Sequence, residues 1–242
     1  MDLREVNILN HHRHPWELSR RDSCLRILKK NDIDTQYADI GSGDLFFSKS
    51  LRQITNQPVY AVDHHYHETV SDIEGVILIR DTNDLPKSRD FLLLMDILEH
   101  AEDDRSFLLS LKDKLNDAGR MLITVPAFQF LYSPHDKFLN HYRRYNYNQI
   151  AVLLSNDFEI EAAFYFYTTL FFIRFIERVL STFRKMDSSF RVSNWRYSES
   201  CIITVIIKRI LDLDFMVNRC LSKILIKLPG LSLCIICKKK SV

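Results

Sequence analysis

Two short apolar runs, and the residues that end them, constrain this chain more than anything else in it. Tyr37-Ala38-Asp39-Ile40 leads into Gly41-Ser42-Gly43, a helical pattern follows, and Val59-Tyr60-Ala61-Val62 ends at Asp63, 20 residues beyond Gly43. A strand, a glycine turn, a helix and a second strand closed by an acid make a βαβ unit of the nucleoside-binding kind. The glycines let backbone approach a ligand, and the acid accepts hydrogen bonds from both ribose hydroxyls. The dinucleotide version of the turn needs Gly-x-Gly-x-x-Gly. Here the third glycine position falls on Phe46, whose bulk blocks the close approach of a pyrophosphate. The expected ligand is a nucleoside without a diphosphate.

Further strand-like runs at 76–80, 90–96 and 119–125 alternate with helical patterns at 44–54 and 103–115, behind an amphipathic helix at 16–31. Such alternation predicts parallel strands with helices on both faces, and ligands beyond the carboxyl ends of the strands. Asp39, Gly41, Gly43, Asp63, Asp81, Asp96 and Glu99 all lie at or just past those ends. A helix at 146–156, a strand at 158–166 and a last strand at 231–239 complete the pattern.

At 242 residues, 46% hydrophobic and 26% charged, the chain suits one α/β domain with an elaboration. Its 33 Lys and Arg against 31 Asp and Glu leave +2, which gives no case for nucleic acid as a partner. Five scattered cysteines fit a reducing compartment. Cys234 and Cys237 lie on a strand, where positions three apart face opposite ways, so they read as structural. The N-terminus has no signal pattern and no run reaches the ~18 apolar residues of a spanning helix, so a cytoplasmic location is expected.

Two more segments carry chemistry. Asp96-Ile97-Leu98-Glu99-His100 follows the apolar run 91–95, with Asp103 and Asp104 suited to cap and charge the next helix. Past the fifth strand, His135, Asp136, His141, Tyr142, Arg143, Arg144 and Tyr145 fall within eleven residues, a concentration typical of an acceptor pocket. Asp-x-Gly-x-Gly at 39–43, the acid at 63 and Asp-x-x-Glu-His at 96–100 together resemble the class I S-adenosylmethionine-dependent methyltransferases. Pro-Ala-Phe…His-Asp…His-x-Arg-Arg-Tyr at 126–145 resembles a bacterial subgroup often encoded near cell-surface glycan and lipid-carrier enzymes. The likeness covers 12–160 and 228–239 and departs from the fuller pattern at Leu45, where a third glycine is usual.

The resemblance implies a Rossmann-like seven-stranded α/β sheet with helices on both faces. It divides the chain into an N-terminal helical segment (1–35), a cofactor-binding core (36–167), a helical insertion (168–229) and a final strand and tail (230–242). S-adenosylmethionine is the implied cofactor, with Gly41 and Gly43 against its methionine part, Asp63 on the ribose, Asp81 on the adenine edge, and Asp39 and Asp96 completing the set. Some O-methyltransferases hold a divalent ion at the positions of Asp96, Glu99 and His100, and their i, i+3, i+4 spacing permits it. Many relatives keep Leu-Glu-His without metal, so none is expected. Methyl transfer mostly requires alignment and exclusion of water, helped by a base. His135 and His141 are the candidate bases, with His100 next. Asp136, Tyr142, Arg143, Arg144 and Tyr145 form the acceptor side, the arginines holding a phosphate or carboxylate.

The insertion has its own pattern. On a wheel for 170–185, Phe172, Ile173, Phe175, Ile176, Val179, Leu180 and Phe183 oppose Arg174, Glu177, Arg178, Ser181, Arg184 and Lys185. Within 201–227, Lys208, Arg209, Asp212, Arg219, Ser222, Lys223 and Lys227 share a stripe. Wide apolar faces beside basic ones suit helices lying in a membrane interface, although a helical cap or a dimer contact has similar faces. The expectation is a methyltransferase held peripherally on the cytoplasmic membrane face through 169–227, acting on a lipid-linked, glycan or similarly amphipathic acceptor. A soluble small-molecule O- or N-methyltransferase and a non-catalytic partner-binding subunit of the same fold are the alternatives.

Overall fold

The fold is that of a computed structural model, which describes residues 12–66, 70–184 and 197–240. Its strands are β1 (Tyr37–Ile40), β2 (Val59–Val62), β3 (Val70–Ile73), β4 (Val76–Ile79), β5 (Arg89–Met95), β6 (Leu115–Pro126), β7 (Phe158–Phe166) and β8 (Ser232–Lys239). They form one sheet in the order β3-β4-β2-β1-β5-β6-β8-β7. The five strands from β4 to β6 pair in parallel. β3 runs antiparallel to β4, and β8 lies antiparallel between β6 and β7. The helices are α1 (Pro15–Leu28), α2 (Phe46–Arg52), α3 (Asp104–Lys112), α4 (Pro134–Phe138), α5 (Tyr147–Leu154), α6 (Thr168–Arg184) and α7 (Ile202–Lys223).

The sheet has one strand more than the seven expected. Residues 70–73 fold back on β4 because Glu74 and Gly75 both take positive φ, 57° and 80°, and Asp72 Oδ1 accepts the Gly75 N–H at 2.8 Å. Two successive left-handed residues make the tight turn of a β-hairpin.

The central strands are mostly apolar because helices cover both of their faces, with Asp39 and Thr124 the buried polar exceptions on β1 and β6. Alternate residues feed two cores. Leu92, Leu94, Ile123, Leu108, Ile150 and Leu154 pack beneath α3 and α5. Leu93, Leu28, Tyr37, Phe164, Phe166 and Phe215 pack beneath α1 and α7. Cys237 joins the first core and Cys234 the second, as their spacing predicts. Burial pushes the Cys237 thiol up to about 12. Asp103 caps α3 by accepting the Ser106 N–H at 3.0 Å.

α7 turns a mixed face to the body, Leu211 and Phe215 entering the second core beside charged groups. Part of its polar stripe faces the body: Lys208 bridges Asp22 of α1 at 2.7 Å and Asp212 at 2.9 Å, and Arg26 reaches Asp212 at 3.4 Å. Asp214 accepts the N–H groups of Thr168 at 3.0 Å and Thr169 at 2.8 Å, satisfying the positive start of α6. Ile203, Ile206, Ile210, Leu213, Met216 and Val217 are left on the outside. α6 leaves the body after Phe171, and 172–180 are exposed throughout. Lys185 and the side chains of Ser181, Phe183 and Arg184 lie outside the described residues. Among the described residues, no helix is long and apolar enough to cross a membrane.

Candidate active site

Asp39, next to the end of β1, is buried, its Oδ2 accepting the Ser48 hydroxyl of α2 at 2.6 Å, and burial pushes its carboxyl up to about 6. The turn that follows needs its glycines: Gly41 and Gly43 take φ of 74° and 54°, conformations that cost other residues energy. The Gly41 and Ser42 N–H groups both donate to the Val62 carbonyl, at 2.8 and 3.1 Å. Gly43 N–H donates to Asp63 Oδ2 at 2.9 Å, and Asp63 Oδ1 accepts the His65 N–H at 3.0 Å. Tyr66 closes the loop, its hydroxyl 2.7 Å from Ser42 Oγ and donating to the Gly43 carbonyl at 3.0 Å. Leu45 takes φ 66°, the left-handed conformation that the missing glycine would favour. Its burial with Ala61, Val76 and Leu78 offsets that strain.

A Cβ on Gly41 would stand 2.6 Å from Ile97 Cδ1, so the glycine loop lies directly against the Asp96–His100 segment. Asp96 itself is at φ 56°, with Oδ1 accepting the Thr124 hydroxyl at 2.9 Å and Oδ2 paired with Arg20 of α1. Arg13 pairs with Asp44, and Arg13 and Arg21 stand over the Phe46 ring at 4.2 and 4.7 Å. α1 thereby roofs a shallow cleft, open to solvent and lined by Glu17, Arg20, Asp39, Gly41, Ser42 and Phe46. Asp81 lies apart from that lining, exposed, and caps the short turn Thr82–Asp84 by accepting the Asn83 N–H at 2.8 Å.

The segment after β6 closes on itself: Phe128 N–H donates to the Tyr145 carbonyl and Tyr145 N–H to the Pro126 carbonyl, both at 2.9 Å. Inside this loop Asp136 is wholly buried and multiply bonded. His141 Nδ1 is 3.0 Å from Oδ1, Arg144 donates from Nε to Oδ1 at 2.8 Å and from Nη2 to Oδ2 at 3.0 Å, and Ser133 donates through N and Oγ to Oδ2 at 2.9 Å each. Burial alone would raise the Asp136 carboxyl, but the hydrogen bonds from His141 and Arg144 hold it well below the usual carboxylate range. With Nδ1–H on Asp136, the lone pair of His141 is on Nε2.

The fold brings Glu99, His100 and His141 together. The Tyr142 N–H donates to the Glu99 carbonyl at 2.8 Å, and the His100 and His141 rings meet edge-on with centroids 4.7 Å apart. Glu99 is 0% exposed with no hydrogen-bond partner on either carboxylate oxygen, and burial pushes it up to about 8. His135, on α4, has its pKa lowered, first by burial. Arg143 donates to Asp104 at 3.0 Å, and the Tyr145 hydroxyl donates to the same carboxylate at 3.0 Å. Arg143, Arg144 and Tyr145 thus brace the loop from within, whereas Tyr142 is exposed. Arg20, Tyr66 and Thr124 complete the site without any signal in their local sequence.

Sheet order and a glycine turn at the carboxyl edge define the fold of the class I S-adenosylmethionine-dependent methyltransferases. No family model matches the chain, and no curated protein matches it in sequence. Solved structures match it in shape. One is a SAM-dependent methyltransferase from Archaeoglobus fulgidus, at 16% identity and TM-score 0.50 over 93% of this chain and 94% of that one. Another is phosphoethanolamine N-methyltransferase 2 of Haemonchus contortus with phosphomonomethylethanolamine and S-adenosylhomocysteine, at 17% identity and TM-score 0.50 over 90% of this chain and 52% of that one. At such identities the likeness is one of fold.

Proposed function

We propose that the protein is a methyltransferase that uses S-adenosylmethionine to methylate an oxygen or nitrogen of a lipid-linked, glycan or other amphipathic acceptor at the cytoplasmic face of a membrane. The Gly41–Gly43 loop, tied to Asp63 and roofed by α1, supports the cofactor: backbone for the methionine part, a carboxylate for the ribose. In the reaction the acceptor's lone pair forms the new bond to carbon as the carbon–sulfur bond breaks, releasing S-adenosylhomocysteine. The acceptor's proton goes to a base, His135 or His141, and Asp136 steadies the imidazolium in the second case.

One observation carries the acceptor class. Phe128 stacks on Tyr165 at 4.8 Å and meets Phe171 at 5.4 Å, and Phe130 meets Phe175 at 6.1 Å. The loop that holds both histidines is therefore continuous with the exposed apolar flank of α6, where Phe172 is 51% and Ile176 54% exposed. Exposed apolar surface on this scale marks an interaction site. Arg174 and Arg178 are exposed on the same helix, and Arg209, Lys223 and Lys227 are exposed on or just past α7, so anionic lipid is the surface these helices suit. Lipid and glycan extracts from cells with and without the active gene test the reading by mass spectrometry. A species heavier by one methylene is expected only with the gene; identical extracts, alongside methylation of a water-soluble compound, would leave the soluble alternative standing.

A further inference from the structure

We infer that Glu99, His100 and His141 bind a divalent metal ion of the zinc, iron(II) or manganese kind, on the acceptor side of the cleft. One ligand atom from each lies within 4.8 Å of the other two. Ligands about 2.1 Å from a shared ion stand roughly 3–4 Å apart, so the three side chains need close only slightly.

Observations beyond that spacing point to a cation. Glu99 is fully buried, and neither of its carboxylate oxygens has a hydrogen-bond partner. A carboxylate buried without partners is costly, and an ion that both imidazoles also reach removes the cost. His141 is already set as a ligand, because Asp136 takes its Nδ1 at 3.0 Å and turns Nε2 outward. A carboxylate behind a histidine is how metal-bound imidazoles are held and oriented, and here Arg144 and Ser133 hold that carboxylate in turn. Two imidazoles and one carboxylate suit a borderline transition ion and leave coordination positions open.

The ligand set differs from the one the sequence spacing offers. Asp96 is not in it, being occupied by Arg20 and Thr124. His141 replaces it, from a segment about forty residues away. Because Ile97 is the residue against which Gly41 packs, the ion lies between the cofactor loop and the His135–Tyr145 loop. Its open positions are suited to hold a hydroxyl or phosphate oxygen of the acceptor. That use rests on the methyltransferase reading; occupancy of the site does not. With the ion bound, His141 is a ligand and proton removal falls to His135.

The test is metal content. A second cluster, Asp63, His64 and His65, has the same spacing, but both histidines are exposed. The work therefore uses the full-length, untagged chain carrying His64→Ala and His65→Ala. It is loaded with zinc or manganese, desalted and analysed by elemental mass spectrometry beside S-adenosylhomocysteine calorimetry. About one ion per chain is expected, lost in Glu99→Gln, His100→Ala and His141→Ala and retained in His135→Ala. Asp136→Asn should weaken zinc affinity by about 10–100-fold. Intact S-adenosylhomocysteine binding shows that a variant has folded, and a variant that does not fold is replaced by another of the three ligand changes. No ion above background, an ion that survives all three ligand changes, or uptake that vanishes with His64 and His65 alone would overturn the inference. Absent S-adenosylhomocysteine binding with a bound ion would instead count against the methyltransferase reading.

Discussion

The Asp63 carboxylate accepts the Gly43 N–H at 2.9 Å, so the acid that ends β2 holds the turn that leaves β1. A carboxylate has lone pairs to spare after that bond, and those are the ones a ribose would meet. Asp63→Ala should weaken S-adenosylhomocysteine binding by about 1.5–3 kcal/mol, read by calorimetry. Unchanged affinity, or tight binding of NAD by the wild type, would remove the cofactor assignment.

Arg144 is only 11% exposed and Asp136 is wholly buried. Arg144→Ala leaves that carboxylate without its main counter-charge and should destabilise the protein by about 3–5 kcal/mol in chemical denaturation. Arg143, half-buried on Asp104, should cost far less. If both substitutions instead raised only the acceptor KM, the arginines would be binding substrate directly.

His135→Ala should lower kcat while S-adenosylhomocysteine affinity stays at the wild-type value, since His135 stands outside the glycine loop. A positioned base contributes roughly 10²–10⁴-fold, so the loss should be at least tenfold. Single-turnover kinetics with unchanged rate would exclude His135 from proton removal.

The apolar flank of α6 makes a vesicle experiment decisive. Phe175 and Ile176 are 41% and 54% exposed, so Phe175→Glu with Ile176→Glu should leave the thermal transition in place. The wild type should sediment with anionic vesicles at low salt, less with neutral ones, and the double variant should stay in solution. Each basic side chain near an anionic surface contributes about 1 kcal/mol, fading with salt. Wild-type protein in the supernatant under every condition would defeat the membrane reading.

Burial raises Asp39 from 3.8 to about 6. A raised acid stabilises the fold fully below its unfolded value and loses that contribution as pH climbs through its folded value. Wild-type stability should therefore fall relative to Asp39→Asn between about pH 4 and 6, and the difference should level off above that. Parallel denaturation curves across this range would show that Asp39 ionises like an exposed acid.

Where the chemistry is local, the sequence is a good guide. The glycine turn, the strand-end acids, the Asp103 cap and the place of the last strand each depend on neighbours within a few positions or on a simple apolar run, whereas the antiparallel direction of that strand has no signal. Leu45 departs from the family pattern, yet its backbone keeps the glycine-like angle because its side chain is buried. The β3 hairpin is signalled only by Glu74-Gly75, a weak turn pair. Burial sides of the insertion are another matter. Periodicity separates the two faces of α7 without saying which one the body covers, and the charged Lys208–Asp212 side is the one α1 takes. Arg143 and Arg144 look like anion holders along the chain, and only the closing of the loop turns them onto Asp104 and Asp136. Arg20 and Asp96 meet across 76 positions, beyond the reach of any spacing rule.

β8 supplies both neighbours' missing partners: it pairs with β6 on one side and β7 on the other, with Leu233, Cys234, Ile235 and Cys237 fully buried. It also follows both of those strands in chain order, so it is made after them. Until residues 232–239 emerge, β6 and β7 both present open, apolar edges, and such edges are where nascent chains aggregate. The sheet is thus zipped from within by a strand made after the amphipathic helices. A membrane waiting for those helices would shelter the growing chain during that interval, so synthesis in the presence of anionic vesicles should raise the yield of folded protein.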